Sequence, residues 1–175
     1  MKKIIGISII LIMSLIVFQS CRQYPDIRTA EKVDLDKFMG DWYVIANIPT
    51  FIEKGAHNAV ETYSRESSDV INTTFRFNKG SLTGPEKEYN PTGFVTEAPS
   101  NAEWKMQFLW PFKSEFIIVY VDPAYKYTII GRTKRDYVWI MARSPTISES
   151  DTKSLIDIAV AEGYDRSQIK IIPHG

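Results

Sequence analysis

Few side chains in this 175-residue sequence are suited to covalent chemistry. It has one cysteine, Cys21, and two histidines, His57 and His174. A lone cysteine cannot close an internal disulfide and needs another explanation. Cys21 follows a basic start (Met1-Lys2-Lys3), an apolar run from Ile4 to Phe18, and then Gln19-Ser20. A charged start, a short apolar run and a small residue at the cut are the layout of an export signal. The run is shorter than the ~20 residues a helix needs to cross a bilayer. The expectation is that residues 1–20 form a cleaved signal peptide and that Cys21 becomes an acylated N-terminus, although Phe18 and Gln19 depart from the Leu and small residue usual in such signals. Two or more acyl chains make such tethering stable. Arg22, rather than an aspartate, follows the cysteine, and by analogy this favours the outer membrane. Residues 21–33 read as the lipidated N-terminus and tether, and residues 34–175 as the folded domain.

The histidines fall in a loop and in the C-terminal tail, so no internal Ser-His-acid set is formed. Metal-ligand spacing is absent as well. The expectation is a non-enzymatic protein with no cofactor and no metal. Removing residues 1–20 deletes Lys2 and Lys3 and no acid, which leaves 19 basic against 21 acidic side chains. That balance gives no electrostatic case for nucleic acid, which requires a basic stripe.

The elements that would position a binding site are short and mostly extended. Segments 41–48, 59–65, 70–77, 94–97, 103–109, 115–122, 125–132 and 136–143 are rich in β-formers and are separated by Gly, Pro, Asn and Ser. Eight such segments at this spacing predict a sandwich or barrel. One stretch departs from the pattern. Ser148 to Ala161 has Ser and Asp at its start, Gly163 after its end, and Leu155, Ile158 and Ala159 at helical spacing, so it predicts an amphipathic helix. A short strand over Gln168–Ile172 follows it. Segment 115–122 is apolar on both faces, and the helix is the natural cover for the outer one. Eight antiparallel strands close into a barrel wide enough for packed side chains or for one small ligand. An apolar inner face by itself leaves those two outcomes open.

The ordered set Gly40-Asp41-Trp42, Asp122-Pro-Ala-Tyr125 and Arg143, the last within Trp139-Ile-Met-Ala-Arg-Ser-Pro, resembles the lipocalin family. The resemblance spans Val33 to the C-terminus and is closest to bacterial outer-membrane lipocalins, apolipoprotein D and plant temperature-induced lipocalins. It implies an all-β, eight-stranded antiparallel up-and-down barrel, with one C-terminal α-helix packed outside and a short final strand. Strands running alternately up and down from Trp42 bring Gly40, Trp42, Asp122, Tyr125 and Arg143 to one end. An Arg guanidinium stacked on an indole stabilises by roughly 0.5–2 kcal/mol, so this end should be a closed floor. Four loops then surround a mouth: Pro49–Asn58, Asn78–Tyr89, Leu109–Ser114 and Thr133–Arg135. Phe51, Ile52, Trp110 and Phe112 are the apolar residues beside it.

Strand alternation and the family pattern give the expected interior. The first strands contribute Val44, Ala46, Ala59, Glu61 and Tyr63, and the third Val70, Asn72, Thr74 and Arg76. Gly93, Val95, Trp104, Met106 and Phe108 follow, then Phe116, Ile118, Tyr120, Thr128, Ile130, Tyr137, Trp139 and Met141. Small residues among these (Ala46, Ala59, Thr74, Gly93) leave room for a cavity. The ligand-binding candidates at the mouth and interior are Phe51 and the inward set. Relatives usually carry a small residue where this chain has Glu61, and a carboxylate in an apolar cavity must pair, protonate or meet water. Glu61 with Arg76 could anchor a ligand head group; a neighbouring partner for Glu61, or a bulge turning it outward, is the alternative.

The resemblance implies binding, storage or transport of fatty acids, lysophospholipids or similar amphiphiles, held at a membrane through acylated Cys21. A surface lipoprotein with a filled barrel that binds partner proteins is the second reading, and a lipocalin-type enzyme the third. A homodimer stays open.

Overall fold

The computed structural model describes residues 26–96 and 100–175. The predicted signal peptide and Cys21 lie outside those residues. A single turn of helix, α1 (Leu35–Phe38), precedes strand β1 (Gly40–Ile48). Strands β2 (Ala56–Arg65), β3 (Val70–Lys79), β4 (Glu86–Tyr89), β5 (Thr92–Val95), β6 (Glu103–Leu109), β7 (Phe112–Val121), β8 (Tyr127–Gly131) and β9 (Val138–Ala142) follow. The chain ends with helix α2 (Glu149–Ala161), a 3-10 turn (Arg166–Gln168) and β10 (Lys170–Ile171).

Each barrel strand pairs with its sequence neighbour, and β1 pairs with β9 to close the ring. This is the eight-stranded antiparallel barrel expected. β4 and β5 together act as one bent strand along β3, split at Asn90-Pro91. The stretch read from sequence as the loop Asn78–Tyr89 therefore contains β4, which prolongs the sheet toward the mouth. The β6–β7 hairpin is also longer than expected, because Leu109 pairs with Phe112 and only Trp110-Pro111 remains as the turn. β10 lies outside the ring, antiparallel to β1.

Closure without edges removes unpaired strand groups, and two apolar layers hold the ring. The inner layer includes Trp42, Tyr63, Ile71, Phe75, Phe77, Trp104, Phe116, Ile118, Ile130 and Met141. The outer layer lies under α2, where Leu155 and Ala159 cover Ala46, Ile117, Val119, Ile129 and Ile140. α2 therefore covers the second apolar face of β7. Its start is capped by the Ser148 hydroxyl, which accepts from the Asp151 amide at 3.0 Å. Gly163 takes a positive φ of +96° just beyond its end, a conformation that glycine adopts without a Cβ clash.

Four register shifts interrupt the pairing, and two of them turn residues expected inside to the outer layer. The β1–β9 pairing shifts register between Val44 and Ala46. Trp42 and Val44 belong to the inner layer, whereas Ala46 and Ile48 belong to the outer one. A second shift, between Ile118 and Tyr120 on β7, turns Tyr120 to the outer layer. Bulges insert one extra residue and reverse the alternation beyond them.

Candidate functional site

The two ends of the barrel are built differently. At the floor, Phe38 of α1 enters the barrel between Trp42, Tyr63 and Trp104, with ring centroids 5.2, 5.5 and 5.5 Å away. Trp104 stacks on Phe116 at 5.1 Å. Room at Gly93 is taken by Trp104: a Cβ there would lie 3.3 Å from Trp104 Cε3. Arg143 lies over the Trp42 ring at 3.8 Å. Its Nη1 donates to the Asp41 carbonyl at 2.7 Å, and its Nη2 to the carbonyls of Lys37 and Met39 at 2.7 and 2.8 Å. Trp42 Nε1 donates to the Phe38 carbonyl at 2.8 Å. The Asp122 carboxylate accepts from the amides of Ala124 and Tyr127 at 3.1 and 2.7 Å and also from that of Lys126. Tyr125, in the same turn with φ +54°, accepts at its hydroxyl from the Asp34 amide at 2.7 Å. Residues 27–33, read from sequence as part of the tether, run along the barrel: the Ala30 amide donates to the Ile118 carbonyl at 2.8 Å, and Val33 is fully buried.

The mouth half is open. A cavity of about 590 Å³ extends into the barrel from this end. Its wall includes Thr73, Phe75, Met106, Phe116, Tyr137 and Trp139, with Phe51, Phe108, Leu109 and Phe112 around the rim. Phe51, Leu109 and Phe112 are more than two-thirds exposed, and Trp110 beside them is 81% exposed.

Seven of the expected ligand-binding residues line this cavity: Phe51, Glu61, Met106, Phe108, Phe116, Tyr137 and Trp139. Ala59, Val95, Trp104, Ile118 and Ile130 belong to or pack on the inner layer but do not reach the cavity wall. Thr128 is fully buried and donates to the Tyr120 carbonyl at 2.8 Å. Four expected residues face the other way. Ala46 is turned beneath α2 by the β1 bulge. Asn72, Thr74 and Arg76 stand on the outer face of β3, because Ile71, Thr73, Phe75 and Phe77 are the buried set. Directly opposed residues of an antiparallel pair share a face. Glu61 pairs with Phe75, and Arg76 pairs with Val60. With Glu61 inside, Arg76 must be outside, and the expected Glu61–Arg76 anchor does not form. A shift of one residue sends a whole strand's side chains to the other face.

Glu61 itself is inside. It is 6% exposed and accepts a hydrogen bond from the Tyr63 hydroxyl. Burial pushes its carboxyl up to about 7; the Tyr63 hydrogen bond opposes this and the nearby Glu53 carboxylate adds to it. Glu53, in the β1–β2 loop, is a site residue that the sequence did not reveal. It is 3% exposed, and its Oε1 accepts from Trp139 Nε1 at 2.8 Å. Its Oε2 accepts from the Thr50 amide at 2.9 Å and from Asn47 Nδ2 at 3.4 Å. Burial raises its pKa, and these donors oppose the rise. The one available signal was Trp139: an inward indole N–H needs an acceptor. Arg132, also missed, lines the cavity at the mouth end. Its guanidinium lies 5.1 Å from the Tyr137 ring centroid and 3.4 Å from Asp136, and among the described residues its buried Nε has no hydrogen-bond partner.

The fold and site together define a closed barrel, sealed at one end, with an apolar cavity open at the other. The family described as Lipocalin-like domain matches residues 33–174, and the chain belongs to it. Its members are typically non-catalytic proteins that bind small hydrophobic ligands. Outer membrane lipoprotein Blc of Escherichia coli is 30% identical over 138 residues, covering 77% of this chain and 76% of that protein. Temperature-induced lipocalin-1 of Arabidopsis thaliana is 28% identical over 85% of this chain and 83% of its own. Apolipoprotein D of Bos taurus is 29% identical over 81% and 77%. Among solved structures, insecticyanin of Manduca sexta superposes with a TM-score of 0.64 at 16% identity, over 87% of this chain and 86% of that one, which shows the shared fold.

Proposed function

We propose that this protein binds, stores or transports a fatty acid, lysophospholipid or similar amphiphile within the barrel. The observation that carries this reading is the cavity of about 590 Å³, walled mainly by apolar side chains and rimmed by exposed aromatics. That volume lies in the range usual for small-molecule sites, roughly 300–1,000 Å³. Met106 and the aromatic wall adapt readily to a flexible chain, since Met is unbranched and polarizable. The ligand contacts proposed are Glu61, Met106, Phe116, Tyr137 and Trp139 inside, with Phe51 and Phe108 at the rim. Trp42 and Arg143 seal the floor and play no part in ligand contact.

The reading includes a location. Removal of residues 1–20 and acylation of Cys21 would hold the barrel on the outer membrane, where it would serve lipid maintenance of the envelope. Similarity to outer membrane lipoproteins supports this. The role is carriage and not catalysis.

Protein extracted from its membrane and analysed by native mass spectrometry should carry co-purifying lipid. A fatty-acid fluorophore should bind the delipidated protein at one site and be displaced by lysophospholipid. A barrel that carries no lipid and binds no probe would favour the alternative of a partner-binding lipoprotein. Mass spectrometry of the mature N-terminus should show diacylglyceryl-modified Cys21, and a Cys21→Ser variant should be released from the membrane fraction.

A further inference from the structure

The lower wall of the cavity carries an acid whose acceptor capacity is only partly used. Glu61 lines the cavity while only 6% exposed. Among the described residues its carboxyl receives one hydrogen bond, from Tyr63, and it has no ion-pair partner. A carboxylate offers about four lone-pair sites, so most remain open. Glu53 differs, because Trp139, Thr50 and Asn47 already donate to it. Glu61 lies deep: its Cα is opposite that of Trp42, whose indole packs in the floor. The cationic wall residue, Arg132, is at the other extreme, after the last residue of β8 and beside Tyr137.

From this layout we infer that Glu61 selects the ligand's buried group: the cavity favours amphiphiles that bring an ammonium or hydroxyl group down to Glu61, and it excludes a carboxylate from that position. The inference rests on the reading of the cavity as a lipid site. A donor from the ligand would fill the acceptor positions that Glu61 presents to the cavity and make a charge-assisted hydrogen bond there. An ammonium adds charge complementarity in surroundings where water does not screen it. A ligand carboxylate at the same depth would face Glu61 and Glu53 together. Fatty acids are then left with the tail down and the head at the rim, beside Arg132.

Binding of three chains of equal length separates the possibilities: hexadecylamine, hexadecanol and palmitate, each competing at pH 8 against pyrene, a neutral apolar fluorophore. The expected order is amine, alcohol, acid, with at least a tenfold spread between amine and acid. In Glu61→Gln, where the amide oxygen can still accept from Tyr63, that spread should shrink to threefold or less, mainly through weaker amine binding. Arg132→Gln should weaken palmitate and leave hexadecylamine within twofold. Pyrene binding with equal affinities for all three chains, or a spread unchanged in Glu61→Gln, overturns the inference and leaves the lipid cavity standing. If pyrene and all three chains fail to bind a folded protein, the cavity reading itself falls, and the inference with it.

Discussion

The floor and the mouth of this barrel are made from the same strands, yet one is solid and the other hollow. At the floor, Phe38 projects from α1 into the space between Trp42, Tyr63 and Trp104, and Arg143 closes the end by bonding the carbonyls of the α1–β1 corner. At the mouth no such plug enters among the described residues. Glu53 is held against the wall by Trp139, and the apolar loop residues Phe51, Leu109 and Phe112 remain exposed around the opening. An inward aromatic strand thus does not decide between a packed core and a cavity. What decides is whether a segment outside the strands fills the end.

The largest test of that contrast is Trp42→Ala. Removing a fully buried indole should cost about 3–5 kcal/mol, read as a drop in urea midpoint at constant slope. Arg143→Ala should follow at about 2 kcal/mol, since it deletes charge-assisted bonds to several carbonyls and the stack on Trp42. A mouth substitution with a comparable loss would erase the distinction between the two ends.

An effect of comparable size belongs to Glu61 and appears as a pH dependence. Its carboxyl is raised from 4.5 to about 7 in the folded protein. Between those values the folded state keeps a proton that the unfolded state has released, so stability falls as pH rises through this window. The group has no effect on stability below about pH 4.5, and its destabilisation is complete above about 7. One pKa unit is about 1.36 kcal/mol, which makes the drop on the order of 3 kcal/mol. Glu61→Gln should reduce this slope, with Glu53, whose carboxyl burial also raises, supplying what is left, and thermal melts at pH 4.5, 6 and 8 measure it. A wild-type protein equally stable across the range would show that Glu61 is not desolvated.

The smallest effects sharpen the comparison from the other side. Phe112→Ser at the rim and Arg76→Ala on the outer face of β3 should each change stability by less than about 0.5 kcal/mol. A large loss from Arg76→Ala would mean that the guanidinium is inside the barrel, paired as the sequence suggested.

Most of the architecture was legible in the sequence because it depends on local signals. Turn residues at regular spacing delimited the strands, and helical spacing with Ser148 and Gly163 marked α2. The pair Trp42 and Arg143 also met as expected, since counting strands up and down fixes which end each residue reaches. The cavity wall was legible only in part. On β6 and β9 no bulge precedes the inward residues, and Met106, Tyr137 and Trp139 face the cavity as alternation implied. On β1 a single bulge displaced Ala46. On β3 the strand was read in the opposite phase, though Ile71, Phe75 and Phe77 form the more apolar set and carry the burial.

By itself, then, the sequence determined a run of short strands and one helix, because turn chemistry and alternation act over a few residues at a time; the barrel, its closed end and an inward Glu61 followed from the resemblance to lipocalins. The tertiary structure alone decided which acid has partners and how much of the interior stays open. Glu53 meets Trp139 across 86 positions of sequence, and Phe38 packs on Tyr63 and Trp104, distant residues that the closed ring brings together. Both depend on contacts between distant segments, and a one-residue bulge is enough to reverse the face on which every later side chain falls.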